Sequence, residues 1–360
     1  MARNPGFRAK LEPRERRLRA ALSLLRGGFG RNGPLDTTAN YVHVQPVISG
    51  ALQIAGAHRE YRHIRDVGVM STLVSRRQFV AIAALSLPGL VWARRTHFTE
   101  LPTSLASLER TSGGRLGVAV LDTSTGERSS YRADERFPMC STFKFLLAAA
   151  VLQRIDRHQE TADRVLPIPP RPLLSHSPLT EPHAGGSMTI AALCHAIIVQ
   201  SDNTAANLLL ESIGGPPGVT RFARSIGDSV TRLDRTELSL NESLAGDPRD
   251  TSSPASMVGN LEAVLLGGVL SAESRTHLTQ WMQASLTGLT SLRARLPPDW
   301  RVADKTGSNG SHTRNDIAVI WPPGHPPIVV AAYLTQCSGP ESKRESLLAT
   351  IGKLVADSYS

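Results

Sequence analysis

Residues 114–121 form an apolar run rich in branched side chains, and Asp122-Thr123-Ser124-Thr125-Gly126 follows with the short polar residues and glycine of a turn. A more polar run near 128–132 completes the pattern of a β-hairpin. From 141 to 158 the sequence is Ala- and Leu-rich and free of Gly and Pro, which predicts a long, mostly buried helix. Residues 167–182 read as a Pro-rich loop, and 189–200 and 203–213 as two further helices, the second stopped by Gly214-Gly215. Segments 304–307, 315–321 and 328–335 carry strand patterns, the last two parted by a Pro- and Gly-rich turn. Strands at both ends with helices between them predict an α+β body built from 94–135 and 285–360, with an all-helical domain inserted at 136–284.

A formal charge of +9 raises nucleic acid as a partner, so its distribution matters. Residues 1–69 carry 12 Lys+Arg against 5 Asp+Glu, and 70–93 add only Arg76 and Arg77, which leaves 26 basic and 26 acidic residues in 94–360. Phosphate binding needs clustered, uncompensated cations, so this neutral body points away from nucleic acid. Ser75-Arg76-Arg77-Gln78-Phe79 precedes an uncharged apolar stretch that ends in Val91-Trp92-Ala93, the pattern of a twin-arginine signal peptide over 70–93. The stretch is too short to cross a hydrocarbon layer of about 30 Å, which takes about 20 residues. The expectation is therefore export to the periplasm or beyond by the twin-arginine machinery. Translation is then expected to start at Met70, with 1–69 a non-native or disordered extension.

Four short segments carry chemistry. In Ser141-Thr142-Phe143-Lys144, helical spacing puts the lysine one turn from the serine on the same face, where its amine can take the hydroxyl proton. The apolar neighbours Met139, Cys140, Phe143, Phe145 and Leu146 bury that lysine, which then needs a function or a partner. In Ser201-Asp202-Asn203, at the break between two helices, Ser201 can pass a proton and Asn203 can hold Lys144 with one end and a substrate amide with the other. Helix capping explains the same trio and is compatible with catalysis. Lys305-Thr306-Gly307 sets a cation and a hydroxyl on one strand, followed by a residue without Cβ that lets a substrate approach the backbone. Glu237 and Asn241, four apart, can hold one water, the carboxylate accepting its proton.

In this order the first three segments resemble the signature of the penicillin-recognising serine enzymes. Glu237-Leu238-Ser239-Leu240-Asn241 resembles the segment that separates class A β-lactamases from penicillin-binding proteins. The resemblance spans roughly 101–355 and implies a five-stranded antiparallel sheet flanked by helices beside an all-helical domain. It implies hydrolysis of β-lactam antibiotics, penicillins and cephalosporins, with Ser141, Lys144, Ser201, Glu237 and Asn241 as catalytic residues. The backbone N–H groups of Ser141 and Ser308 would form an oxyanion hole, and Asn203, Lys305, Thr306, Gly307, Ser308, Arg314 and His176 would face the substrate. His176 stands where a tyrosine usually lines the site mouth. Arg235 and Asp250 would be the ion pair closing an Ω-loop over 235–250.

Two alternatives share the acylation parts: a penicillin-binding transpeptidase or carboxypeptidase, against which the Glu237 and Asn241 pair counts, and a β-lactam sensor domain, which would carry a membrane segment and a signalling domain. No metal-ligand spacing or phosphate-binding glycine loop supports a metal or cofactor, nothing points beyond a monomer, and His195 reads as a core histidine. Of the three cysteines, Cys140, Cys194 and Cys337, at least one lacks an intramolecular partner. The family's occasional bridges would join Cys194 to Ala148 and Cys140 to Asn309, neither a cysteine, so no disulfide and no carbapenem turnover are expected. Denatured protein should titrate three free thiols, and a smaller number would reveal a bridge.

Overall fold

A computed structural model describes residues 98–359. The signal peptide, the start at Met70 and the extension 1–69 lie outside the described residues. Helix α1 (Leu101–Ser112) leads to β1 (Arg115–Asp122) and β2 (Arg128–Tyr131), which pair as the expected antiparallel hairpin. After β3 (Phe137–Pro138) comes a 3-10 turn, Cys140–Thr142, and only then α2 (Phe143–Asp156), so the helix starts two residues past Ser141. The short strands β4 (Val165–Pro167) and β5 (Ser187–Thr189) pair with each other, and helices α3 (Ile190–Val199), α4 (Asn203–Ser212) and α5 (Pro216–Ser225) follow. Strand β6 (Thr251–Ser252) pairs with β3 and precedes α6 (Pro254–Leu261) and α7 (Ala272–Gln283). Strands β7 (Arg301–Ser308), β8 (Arg314–Trp321) and β9 (Ile328–Thr335) and helix α8 (Glu341–Asp357) end the described chain.

The main sheet is five-stranded and antiparallel, in the order β2-β1-β9-β8-β7. Early and late segments meet at its centre, where β1 pairs with β9. Strand β9 reads as continuous apolar sequence because both of its faces are covered. Ile328, Val330, Ala332 and Leu334 pack with Leu105 of α1 and Leu348, Ile351 and Val355 of α8. Val329, Ala331 and Tyr333 point the other way, into one continuous cluster with α2, α3, α4 and α6. Each fully buried Val, Leu or Ile among them is worth about 1.5–3 kcal/mol relative to exposure.

His195 is exposed on α3, with its ring edge-on to Trp281 of α7 at 6.3 Å, which corrects the expectation of a core histidine. An apolar helix carries one open position there, and composition does not reveal which. All three cysteines are buried and unbridged, and burial pushes the Cys140 thiol up to about 12.

Gly117 is the tightest point between β1 and its neighbours, since a Cβ there would lie 2.3 and 2.5 Å from atoms of the Phe137 ring and 3.0 Å from Pro254. Gly117→Ala should therefore destabilise the fold by about 1–3 kcal/mol. A urea midpoint equal to that of the native protein, at the same m-value, would refute this packing.

Candidate active site

Ser141 stands in the 3-10 turn ahead of α2, and several contacts hold that turn. Asn315 of β8 donates from Nδ2 to the carbonyls of Pro138 at 2.8 Å and Met139 at 3.0 Å. The Thr142 hydroxyl donates to the Met139 carbonyl at 2.9 Å, and the Met139 N–H donates to the Asp250 carbonyl at 2.9 Å. Gly307 of β7 lies against the same turn: a Cβ there would sit 2.5 Å from the Met139 oxygen and 3.1 Å from the Ser141 nitrogen. The space freed by this glycine is thus taken by the chain's own backbone, where the sequence had suggested room for a substrate. The consequence is that the Ser308 end of β7 is brought up against Ser141. β7 is an edge strand of the sheet, so its outer edge is not paired within it.

Lys144, the second residue of α2, is fully buried. Its Nζ lies 3.0 Å from Ser141 Oγ, 2.8 Å from the Ser201 carbonyl, 2.6 Å from Asn203 Oδ1, 3.3 Å from Ser201 Oγ and 2.8 Å from Glu237 Oε1. Burial lowers its pKa, against the opposing pull of the Glu237 carboxylate. Ser201 adopts φ of 60° in the break between α3 and α4. Asp202 caps α4 through the Ala205 N–H at 2.9 Å and also accepts the N–H groups of Leu179 at 3.0 Å and Thr180 at 2.9 Å, which fixes the preceding loop. Asn203 gives its second end to the Ser175 carbonyl, with Nδ2 at 2.8 Å.

Glu237 is oriented by a residue that motif reading missed. Asn207 of α4 accepts the Glu237 N–H at 3.0 Å and donates to the Glu237 carbonyl at 2.9 Å. The available signal was its place four residues after Asn203, on the same helix face. The Ser141 hydroxyl donates to Glu237 Oε1 at 3.3 Å, and Asn241 Nδ2 donates to Oε2 at 2.6 Å. Asn241 Oδ1 is buried and has no hydrogen-bond partner among the described residues. Loop 235–250 is clasped at its neck by Arg235 Nε on Asp250 Oδ2 at 2.6 Å, while Asp250 Oδ1 accepts two backbone N–H groups, of Asp234 and Arg235. Arg235 also pairs with Glu242 within the loop.

Lys305, fully buried on β7, donates from Nζ to Ser201 Oγ at 3.1 Å and to the Thr306 carbonyl at 2.8 Å. Burial, followed by repulsion from Lys144, brings its pKa down to about 7. The Ser201 hydroxyl thus lies between two lysines. Above these buried groups opens a cleft of about 510 Å³ whose lining includes Ser141, Ser201, Asn203, Asn241, Thr306 and Ser308. His176 and Leu238 lie along it, as do Gly307, Arg314 and Glu341, the last unforeseen from the sequence. His176, at φ of 58°, is pinned by a contact between its Nε2 and the Gln200 carbonyl at 2.8 Å. The structure brings together every residue assigned to catalysis or substrate contact, with Arg235 and Asp250 at the loop neck. Among the described residues, no group of three or more His, Cys, Asp or Glu is arranged to hold a metal ion. A serine with a buried amine and a carboxylate in reach, beside a hydroxyl shared by two lysines, is equipped for acyl transfer through a covalent ester.

The Beta-lactamase enzyme family profile matches residues 100–359. Beta-lactamase L2 of Stenotrophomonas maltophilia is 47% identical over 297 residues, covering 78% of this chain and 98% of that protein. Beta-lactamase CTX-M-8 of Citrobacter amalonaticus is 45% identical over 291 residues, covering 81% and 100%. Among solved structures, an ancestral (GNCA) class A β-lactamase is 58% identical with a TM-score of 0.70, covering 71% of this chain and 98% of its own. A β-lactamase from Xanthomonas campestris pv. campestris is 48% identical with a TM-score of 0.72, covering 74% and 100%. A serine, two lysines and a clasped glutamate in one cleft, on a fold shared at this level of identity, establish that the chain belongs to the β-lactamase enzyme family, among its class A serine members.

Proposed function

We propose that the chain hydrolyses the β-lactam amide of penicillins and cephalosporins through an ester on Ser141, and so confers resistance to them. The observation that supports this most is Lys144 Nζ, which is buried and joins Ser141, Ser201, Asn203 and Glu237 at one point. In this reading Ser141 Oγ attacks the lactam carbonyl carbon, and the N–H groups of Ser141 and Ser308 receive the developing oxyanion. The Ser141 proton passes either to the Glu237 carboxylate, at 3.3 Å, or to Lys144, at 3.0 Å, in the neutral-amine form that burial favours. Ser201 delivers its proton to the departing nitrogen as the C–N bond breaks and is reprotonated by Lys144, 3.3 Å away and 2.8 Å from Glu237, so the proton taken from Ser141 is the one made good on Ser201. A water held between Glu237 and Asn241 then attacks the ester, Glu237 takes its proton, and Ser141 leaves with its hydroxyl restored. The unpartnered Asn241 Oδ1 supports that placement of the water.

Lys305, Thr306, Ser308 and Arg314 would receive the substrate carboxylate, Asn203 its amide, Gly307 would keep Ser308 in register with Ser141, and His176 would form the mouth. Residues 94–135 with 285–360 would make one domain and 136–284, with its Ω-loop at 235–250, the other. No helix among the described residues is long and apolar enough to cross a membrane. The segment 70–93 supports export through the twin-arginine machinery to the periplasm or beyond, with the enzyme acting there as a monomer.

Glu237→Ala should slow deacylation by about 10²–10⁴-fold. Intact-protein mass spectrometry with a chromogenic cephalosporin should then find a persistent adduct on Ser141, and unchanged steady-state turnover would refute the role of Glu237. Lys305 would hold the substrate carboxylate as an ammonium, which is present below its pKa of about 7 and lost as pH rises through it. The kcat/KM for a penicillin should therefore fall on the alkaline side of that value. Lys305→Arg, charged throughout, should lose this alkaline limb, and a profile that keeps it would assign the limb to another group.

A further inference from the structure

Glu341 belongs to the first turn of α8 and lines the cleft. Its Oε1 accepts from Arg314 Nη1 at 2.9 Å and from the Ser308 hydroxyl at 3.2 Å. The rest of the Arg314 guanidinium is also engaged, Nη2 with the Thr287 carbonyl at 2.9 Å, Ser291 Oγ at 3.2 Å and Glu345 Oε1 at 3.2 Å. Two carboxylates therefore face one guanidinium. The helix dipole favours an acid in a first turn. It does not explain why the carboxylate turns away to the ends of two strands, where one oxygen takes both donors. That oxygen stands where the proposed reaction needs to seat an anion. The Glu341 side chain is 45% exposed, so it can leave for water without uncovering the core.

We propose that Glu341 is an intramolecular competitor for the substrate carboxylate: binding of a β-lactam acid displaces Oε1 from Ser308 and Arg314, and that displacement weakens acids selectively. This rests on the function proposed above and adds a specificity-determining residue to the same cleft. The competitor is a half-exposed ion pair, so its removal should tighten acids only about two- to fivefold.

The test measures equilibrium binding of a penicillin and of its methyl ester by titration calorimetry, in a Ser141→Ala background that cannot form the ester, with Glu341 kept or changed to Gln. The expected result is a Kd for the acid about two- to fivefold lower in Glu341→Gln, and a Kd for the ester unchanged within error. No shift, an equal shift for acid and ester, or failure to bind the acid overturns the competitor role. Weaker binding of the acid overturns it too, and makes Glu341 a positioning residue for Arg314. Turnover by the chain with Ser141 intact is scored separately: turnover without an acid-specific shift removes this inference alone, and an acid-specific shift without turnover removes the hydrolase reading alone.

Discussion

The ammonium of Lys144 is buried with no water-exposed surface, and most of the site follows from satisfying it. An ammonium in a low-dielectric interior is costly unless paired and hydrogen-bonded, so its three protons need acceptors the chain must supply. Those acceptors come from the Ser141 turn, the α3–α4 break and loop 235–250, far apart in sequence. Glu237 is bound by the same constraint from the other side, as its carboxylate is also fully buried against Lys144. Removing one partner of such a pair leaves an uncompensated charge, typically about 3–5 kcal/mol. Loop 235–250 therefore cannot relax independently of α2, and its clasp between Arg235 and Asp250 sets where Glu237 stands.

The sheet contributes position. Asn315 fixes the carbonyls before Ser141 from β8, and Gly307 lets β7 press against the same turn. Behind Lys305, the buried Asp304 pairs with Arg293, and the buried Asp316 accepts the Leu292 N–H at 3.0 Å. Burial pushes both carboxyl groups upward, and the charge of Asp304 adds to the rise of Asp316. Burial, together with repulsion from Lys144, outweighs the upward pull of both carboxyl groups on the Lys305 pKa.

What the sequence made legible was local. Ser141 with Lys144 and Glu237 with Asn241 are separated by three or four residues, so backbone geometry alone brings them together. The hairpin and the three late strands follow from apolar runs between turn residues. Contacts across the chain were not legible: Asn315 acts on a turn 176 residues away, and Glu341 meets Ser308 across 33. Asn207 and Gly307 were visible as residues but not as constraints, because what they accommodate is backbone brought in from elsewhere. The start of α2 was misplaced by two residues for a similar reason, since Cys140, at φ of 44°, and the 3-10 turn depend on β7 and β8 packing beside them.

The charges of the cleft suggest why an anionic substrate completes it. Lys144 has Glu237, and Arg314 has Glu341 and Glu345. Lys305 differs, because its hydrogen-bond acceptors are the neutral oxygens of Ser201 and Thr306. In the proposed reaction a substrate carboxylate brought close to it would supply a counter-ion within hydrogen-bond reach, and an opposite charge within about 4–6 Å favours the protonated lysine. Substrate binding would then fix the charge of Lys305 at the moment Ser201 must act as a proton donor. Recognition of the anion and preparation of the proton-transfer group would thus become one event, carried by the hydroxyl that lies between the two lysines.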